Sequence, residues 1–121
     1  MRKKELGYWG ETLAVEHLQF LGYTILERNW RCQYLEIDII AQLKNTIVFV
    51  EVKTRSTLNY GDPLLEISDK KYQRILNAAD EYMECLNADY NLRFDIITII
   101  RNPIIKLNHI ENAFNGLGLC D

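Results

Sequence analysis

The chain has 121 residues, 48% of them apolar and 26% charged, with 14 basic against 17 acidic side chains and a formal charge of -3. That length supports one continuous core and excludes two domains of ordinary size, and the composition excludes a disordered or collagen-like chain. The acidic balance excludes a protein that coats nucleic acid through a global positive field, so any contact with phosphate has to be local.

Taken in chain order, Met1-Arg2-Lys3-Lys4-Glu5 is a basic start that continues into polar, amphipathic sequence, unlike the apolar stretch of a secretory signal. No apolar run approaches the ~20 residues of a membrane span. The expected compartment is the cytoplasm, with no membrane partner. Leu6, Leu13, Ala14, His17, Leu18 and Leu21 recur at three- and four-residue steps, which predicts an amphipathic helix over 6–21 ended by Gly22. Gly7 and Gly10 near its start each cost up to ~1 kcal/mol relative to alanine, so either the helix begins after them or another segment approaches its backbone closely.

Strands follow over 23–30, 34–42 and 46–54, with a turn at Lys44-Asn45 between the last two. In the third, Ile47 and Phe49 face one way while Val48, Val50 and Val52 face the other, the pattern of a central strand. Ser68 can cap a helix whose stripe is Tyr72, Ile75, Leu76, Ala79, Tyr82, Met83 and Leu86. An isoleucine-rich strand over 93–101, a turn at Asn102-Pro103 and a last strand over 104–110 complete the chain. The fold class expected is α/β in the order α-β-β-β-α-β-β, one domain over 1–121, with a central mixed sheet of about five strands flanked by two main helices.

Cys32, Cys85 and Cys120 are odd in number and widely spaced, which argues for reduced thiols rather than a disulfide framework. His17 and His109 lack a second histidine or a cysteine at ligand spacing, so zinc is not expected. No sequence feature argues for a homodimer.

The chemistry concentrates on the second and third strands. Residues two apart share a strand face, so Glu51 and Lys53 project together beyond Ile47 and Phe49, while Glu36, Asp38 and Ile40 share a face of the preceding strand. A hairpin about Lys44-Asn45 brings Asp38 towards Glu51. Two carboxylates so close repel unless a cation lies between them, and their hard oxygens, with the Val52 carbonyl and waters, suit magnesium or manganese. Such an ion acidifies water and polarises a phosphoryl oxygen, while Lys53 orients the nucleophile or offsets charge on phosphorus. That describes phosphodiester hydrolysis. The plain structural alternative is a solvent-facing Glu-Lys strand pair with Asp38 in a turn, contributing ~1 kcal/mol or less.

Asp38 with Glu51-Val52-Lys53 resembles the core of the PD-(D/E)XK nucleases, which have the restriction-endonuclease-like fold. The chain more particularly resembles the small bacterial YraN-like family within that superfamily. The similarity rests on Gly7-Tyr8-Trp9-Gly10-Glu11 with Ala14, Gly22-Tyr23 with Arg28-Asn29-Trp30-Arg31, Glu36-Ile37-Asp38-Ile39-Ile40, Val48-Phe49-Val50-Glu51-Val52-Lys53-Thr54-Arg55, Tyr60-Gly61, Lys70 with Lys71, Arg93-Phe94-Asp95, and Asn112-Ala113-Phe114. It implies a restriction-endonuclease-like core, with Asp38 and Glu51 as metal ligands, Lys53 as the catalytic lysine and Glu11 as a further carboxylate from the first helix. Gly7, Ala14 and Val15 around Glu11 agree with that role, because an unpaired carboxylate on a small apolar face is costly. A solvated glutamate favoured by the helix macrodipole is the other reading. Leu35 departs from the glycine common in the family before the Glu-Ile-Asp segment, so Glu36 is a secondary candidate only.

Lys70, Lys71 and Arg74 crowd the first turns after Ser68, where the macrodipole prefers acidic groups. A phosphate there gains from both amides and basic side chains; alternatively Glu66 and Asp69 neutralise a solvated face. Arg55 and Tyr60, on the polar segment after the third strand, are further candidate nucleic-acid contacts. Trp30 and Arg31 could stack on a base, or Trp30 could be core. Asp95 is expected as a buried partner of Arg93 or of a loop amide, and His109 as structural. The leading expectation is a magnesium-dependent endonuclease acting on DNA, with branched or damaged structures as the substrate class. The alternatives are a catalytically silent nucleic-acid-binding or complex-forming module on the same fold, and a structural protein with a salt-bridge network.

Overall fold

A computed structural model describes residues 1–57, 61, 67–115 and 118–119. Helix α1 (Lys3–Phe20) leads into strands β1 (Thr24–Cys32), β2 (Leu35–Leu43) and β3 (Thr46–Arg55). Helix α2 (Asp69–Glu84) precedes β4 (Asn91–Ile100) and β5 (Lys106–Ile110), and a two-residue pair follows, β6 (Phe114–Asn115) with β7 (Gly118–Leu119). The main sheet runs β1-β2-β3-β4-β5. Every neighbouring pair is antiparallel except β3 with β4, which is parallel, with α2 in the crossover between them. The observed order is the expected α-β-β-β-α-β-β, with the β6–β7 pair added.

β3 is central, and its two-sided apolar pattern follows from packing on both faces. Ile47 and Phe49 join the core on the α2 side with Tyr72, Ile75 and Ala79. Val48 and Val50 join the core on the α1 side with Ala14 and Leu18. Ser68 caps α2 as expected, its Oγ accepting the Lys71 N–H at 3.2 Å. Trp30 belongs to the core side of its alternatives, edge-on to Tyr82 with ring centroids 5.2 Å apart.

Helix α1 starts at Lys3, earlier than the 6–21 pattern suggests, and contains both glycines. Close approach is the reason at Gly10, where a Cβ would stand 1.9 Å from Thr54 Oγ1. The helix therefore lies directly on the end of β3.

The β2–β3 ladder runs from Leu43↔Thr46 to Ile39↔Val50 and stops there. Ile37 packs in the α2-side core but Ile39 in the α1-side core, although residues two apart on a regular strand share a face. The straight alternation expected for Glu36, Asp38 and Ile40 is thus broken at Asp38. The side chain replaces the lost backbone pairing: Asp38 Oδ2 accepts the Val52 N–H at 2.8 Å.

Asp95, fully buried, accepts from Arg93 Nε and Nη2 at 2.9 Å each, from His109 Nε2 at 2.7 Å and from the Asn112 N–H at 3.0 Å. Because a carboxylate only accepts, His109 carries its proton on Nε2, leaving Nδ1 to accept from His17 Nε2 at 3.0 Å. Arg93 also donates to the Tyr23 hydroxyl. The network ties α1, the start of β1, β4 and β5 together, so both partners expected for Asp95 are present, with His109 as a third. Among the described residues no helix is long and apolar enough to cross a membrane.

Candidate functional site

Where β2 and β3 part, an open cleft of about 690 Å³ lies between the first turns of α1, the strand ends and the start of α2. Glu11, Asp38, Glu51, Lys53 and Lys71 all line it. An adjoining groove of about 400 Å³ shares Asp38, Glu51 and Lys71 and adds Glu36, Lys70 and Arg74. The split in the sheet opens this space, and the buried run Ile47–Val50 carries Glu51 to its floor.

Glu51 is only 7% exposed, and Lys71 Nζ sits 3.1 Å from its Oε2. Asp38 is half-buried alongside, and burial together with the hydrogen bond and charge of Glu51 holds its carboxyl well above the usual carboxylate range. Burial pushes Glu51 up as well, but the hydrogen bond from Asp38 and the ammonium groups of Lys71 and Lys53 outweigh it and hold Glu51 low. The opposed shifts follow from two carboxyl groups side by side, where two negative charges would repel. Lys53 is brought down to about 8 by burial and by its contact with Lys71, with the Glu51 charge opposing the change. Burial also disfavours charge on Lys71, but Glu51 and the contact with Lys53 reverse that and raise it.

Glu11 lines the same cleft, held by neighbours on α1 and β1. Its Oε1 is 4.0 Å from Arg28 Nε, and Arg28 is fixed in turn by Thr12 Oγ1 at 2.7 Å, by the Tyr8 carbonyl at 3.2 Å and by the Tyr8 ring, 4.4 Å from the guanidinium carbon. Burial raises the Glu11 carboxyl despite hydrogen bonding by Asn29 and the Arg28 charge. Sequence reasoning missed these supports. Asparagine at position 29, a residue type enriched at positive φ, was the available sign, and its φ is +53°.

The donor chemistry fits a hard dication: two adjacent carboxyl groups whose negative charges would repel are a site that a cation would relieve. Among the described residues, however, no three His, Cys, Asp or Glu side chains group closely enough to hold a metal ion. Glu11 accordingly does not close a three-carboxylate cage with Asp38 and Glu51.

The remaining candidates distribute as follows. Glu36 lies in the groove wall, 3.7 Å from Arg31 Nη2 and largely solvated. Lys70 and Arg74 are exposed along the groove, and Arg55 lines the cleft, its Nη1 donating to the Thr54 carbonyl at 2.8 Å. Tyr60 and Glu66 lie outside the described residues. Lys71 was expected as a phosphate contact, and its position against Glu51 makes it part of the acidic centre.

These features define a class of α/β protein: a mixed sheet that splits at one end into a cleft floored by two carboxylates and two lysines. Within that class the chain belongs to the uncharacterised protein family UPF0102, the YraN-like family of the resemblance, whose model matches residues 10–99. Similar relatives are the UPF0102 protein of Flavobacterium psychrophilum, 46% identical over 91% of this chain and 93% of its own length. Those of Caldanaerobacter subterraneus and Christiangramia forsetii are 45% and 47% identical, covering 94% and 91% of this chain and 98% and 93% of their own.

Proposed function

We propose that the protein is a metal-dependent endonuclease that hydrolyses phosphodiester bonds in DNA, with branched or damaged structures as its substrate class. The observation that carries this reading is the convergence of Asp38, Glu51, Lys53 and Lys71 on the floor of one open cleft, with burial and the neighbouring Glu51 holding the Asp38 carboxyl well above its usual range. Asp38, Glu51 and the Val52 carbonyl would hold magnesium or manganese, which supplies an acidified water and a polarised phosphoryl oxygen. Glu11 lines the same cleft and would add a further carboxylate beside the ion. Lys53, on the same strand face as Glu51, would offset charge building on the phosphorus. Lys70 and Arg74 along the adjoining groove, with Arg55 at the cleft, supply local positive charge to a protein whose overall charge is -3.

Purified protein is incubated with linear, single-stranded, flapped and four-way DNA in magnesium, manganese or chelator. Asp38→Asn and Lys53→Ala are each expected to lower metal-dependent cleavage about a hundredfold or more while keeping the wild-type circular dichroism. Equal nicking by wild type and both variants would trace the activity to a contaminant. One observation favours a silent binding module instead: Lys71 already neutralises Glu51. Titration calorimetry with manganese separates the two readings, since a module shows no binding that depends on Asp38 and Glu51.

A further inference from the structure

Lys71 stands among the groups that converge on the cleft, but the proposed hydrolysis gives it no step. Its Nζ is 3.1 Å from Glu51 Oε2, and Glu51 is only 7% exposed, so the ammonium stands against a carboxylate with little free surface. A dication approaching Glu51 from the cleft meets an ammonium already beside it. Lys71 itself is 41% exposed at the side chain, and its backbone is fixed by the Ser68 cap, so the long side chain can swing without disturbing the helix. It borders both spaces, as Glu51 does, and exposed Lys70 and Arg74 lie along the groove.

We propose that Lys71 is an exchangeable counter-ion. It holds Glu51 while the site is without metal, is displaced when a dication takes Glu51, and then turns to a substrate phosphate in the groove beside Lys70 and Arg74. The proposal rests on the metal-dependent reading above and adds an order of events to it. An ammonium and a dication held against one buried carboxylate repel each other, so entry of the dication and release of Lys71 are coupled. By reciprocity, a phosphate that draws Lys71 away strengthens dication binding, and metal and nucleic acid bind with positive coupling.

The test uses the full chain and needs no turnover. In calorimetric titration with manganese, without nucleic acid, Lys71→Met is expected to bind about tenfold more tightly than wild type, and Lys71→Arg no more tightly than wild type. Reductive methylation of wild-type protein, followed by peptide mass spectrometry, reads the exchange without a variant: the Lys71 amine is expected to react several-fold faster in magnesium than in chelator. With a phosphorothioate duplex, magnesium should tighten wild-type binding by a larger factor than it tightens Lys71→Met binding. Manganese binding that depends on Asp38 but is unchanged in Lys71→Met, or a methylation rate indifferent to magnesium, overturns the exchange and leaves the nuclease reading standing. Absence of any Asp38-dependent dication binding overturns both.

Discussion

Asp38 does two jobs whose demands conflict. Its Oδ2 completes the hydrogen bonding of β3 through the Val52 N–H, and its carboxyl lies against that of Glu51. Because burial and Glu51 raise its pKa above the ordinary 3.8, the folded protein keeps a proton that the unfolded chain releases. The stability this proton provides is fully present below about pH 3.8 and is lost as pH rises through the folded value. Asp38→Asn removes the repulsion and keeps the oxygen, so in chelator at pH 8 it is expected to be more stable than wild type and to melt at a higher temperature. Manganese should raise the wild-type melting temperature and leave that of the variant unchanged. Scanning calorimetry at pH 5 and pH 8 checks both expectations, and a variant melting below wild type at pH 8 would refute the repulsion. At this scale the sequence was readable for Glu51 and Lys53, which obey the two-residue period of a strand. It was not readable for Lys71, because its distance from Glu51 depends on where the crossover helix lands.

The elements meet most closely where α1 crosses the end of β3. A sequence with glycine at position 10 announces either a weak helix or a close neighbour, and only the packing of Thr54 decides between them. Gly10→Ala is expected to cost about 1–3 kcal/mol, since the new methyl group must displace a β-branched side chain adjacent to Lys53. The double variant Gly10→Ala with Thr54→Ala should lose less than the sum of the two single changes, measured by urea denaturation, because both alter one contact. Simple additivity would mean that the helix and strand do not press on each other. The break in β2 was likewise illegible: Leu35–Leu43 reads as an unbroken strand, and its phase shift at Asp38 comes from the parting of β2 and β3, not from any residue with a turn preference.

Across the whole molecule, the Asp95 network is the ionic centre buried away from the cleft. Hydrogen bonds from His109 and Arg93 and the Asn112 amide overcome burial and hold the Asp95 carboxyl low, so its contribution is present above the ordinary 3.8 and lost as pH falls through the folded value. Burial and the neighbouring His109 lower His17, so the unfolded chain takes up that proton first and stability declines as pH drops below about 6.5. Asp95→Ala leaves Arg93 and His109 without their shared acceptor and is expected to cost about 3–5 kcal/mol by denaturant titration, without direct effect on dication binding. Arg93 and a loop amide were foreseeable partners, one being two residues away in the chain; the chain from His109 to His17 was not, since it joins the end of α1 to an edge strand.

The parallel pairing of β3 with β4 joins positions forty-five apart at every rung, from Thr46↔Asn91 to Arg55↔Ile100. Closing so long a loop delays the central pair, whereas β1, β2 and β3 can zip locally through short turns. Pulse-labelled exchange during refolding should accordingly find β1 and β2 amides protected before those of β4. The lysine carried by the crossover would then reach its carboxylate only at the end, making the cleft the last region of this protein to mature.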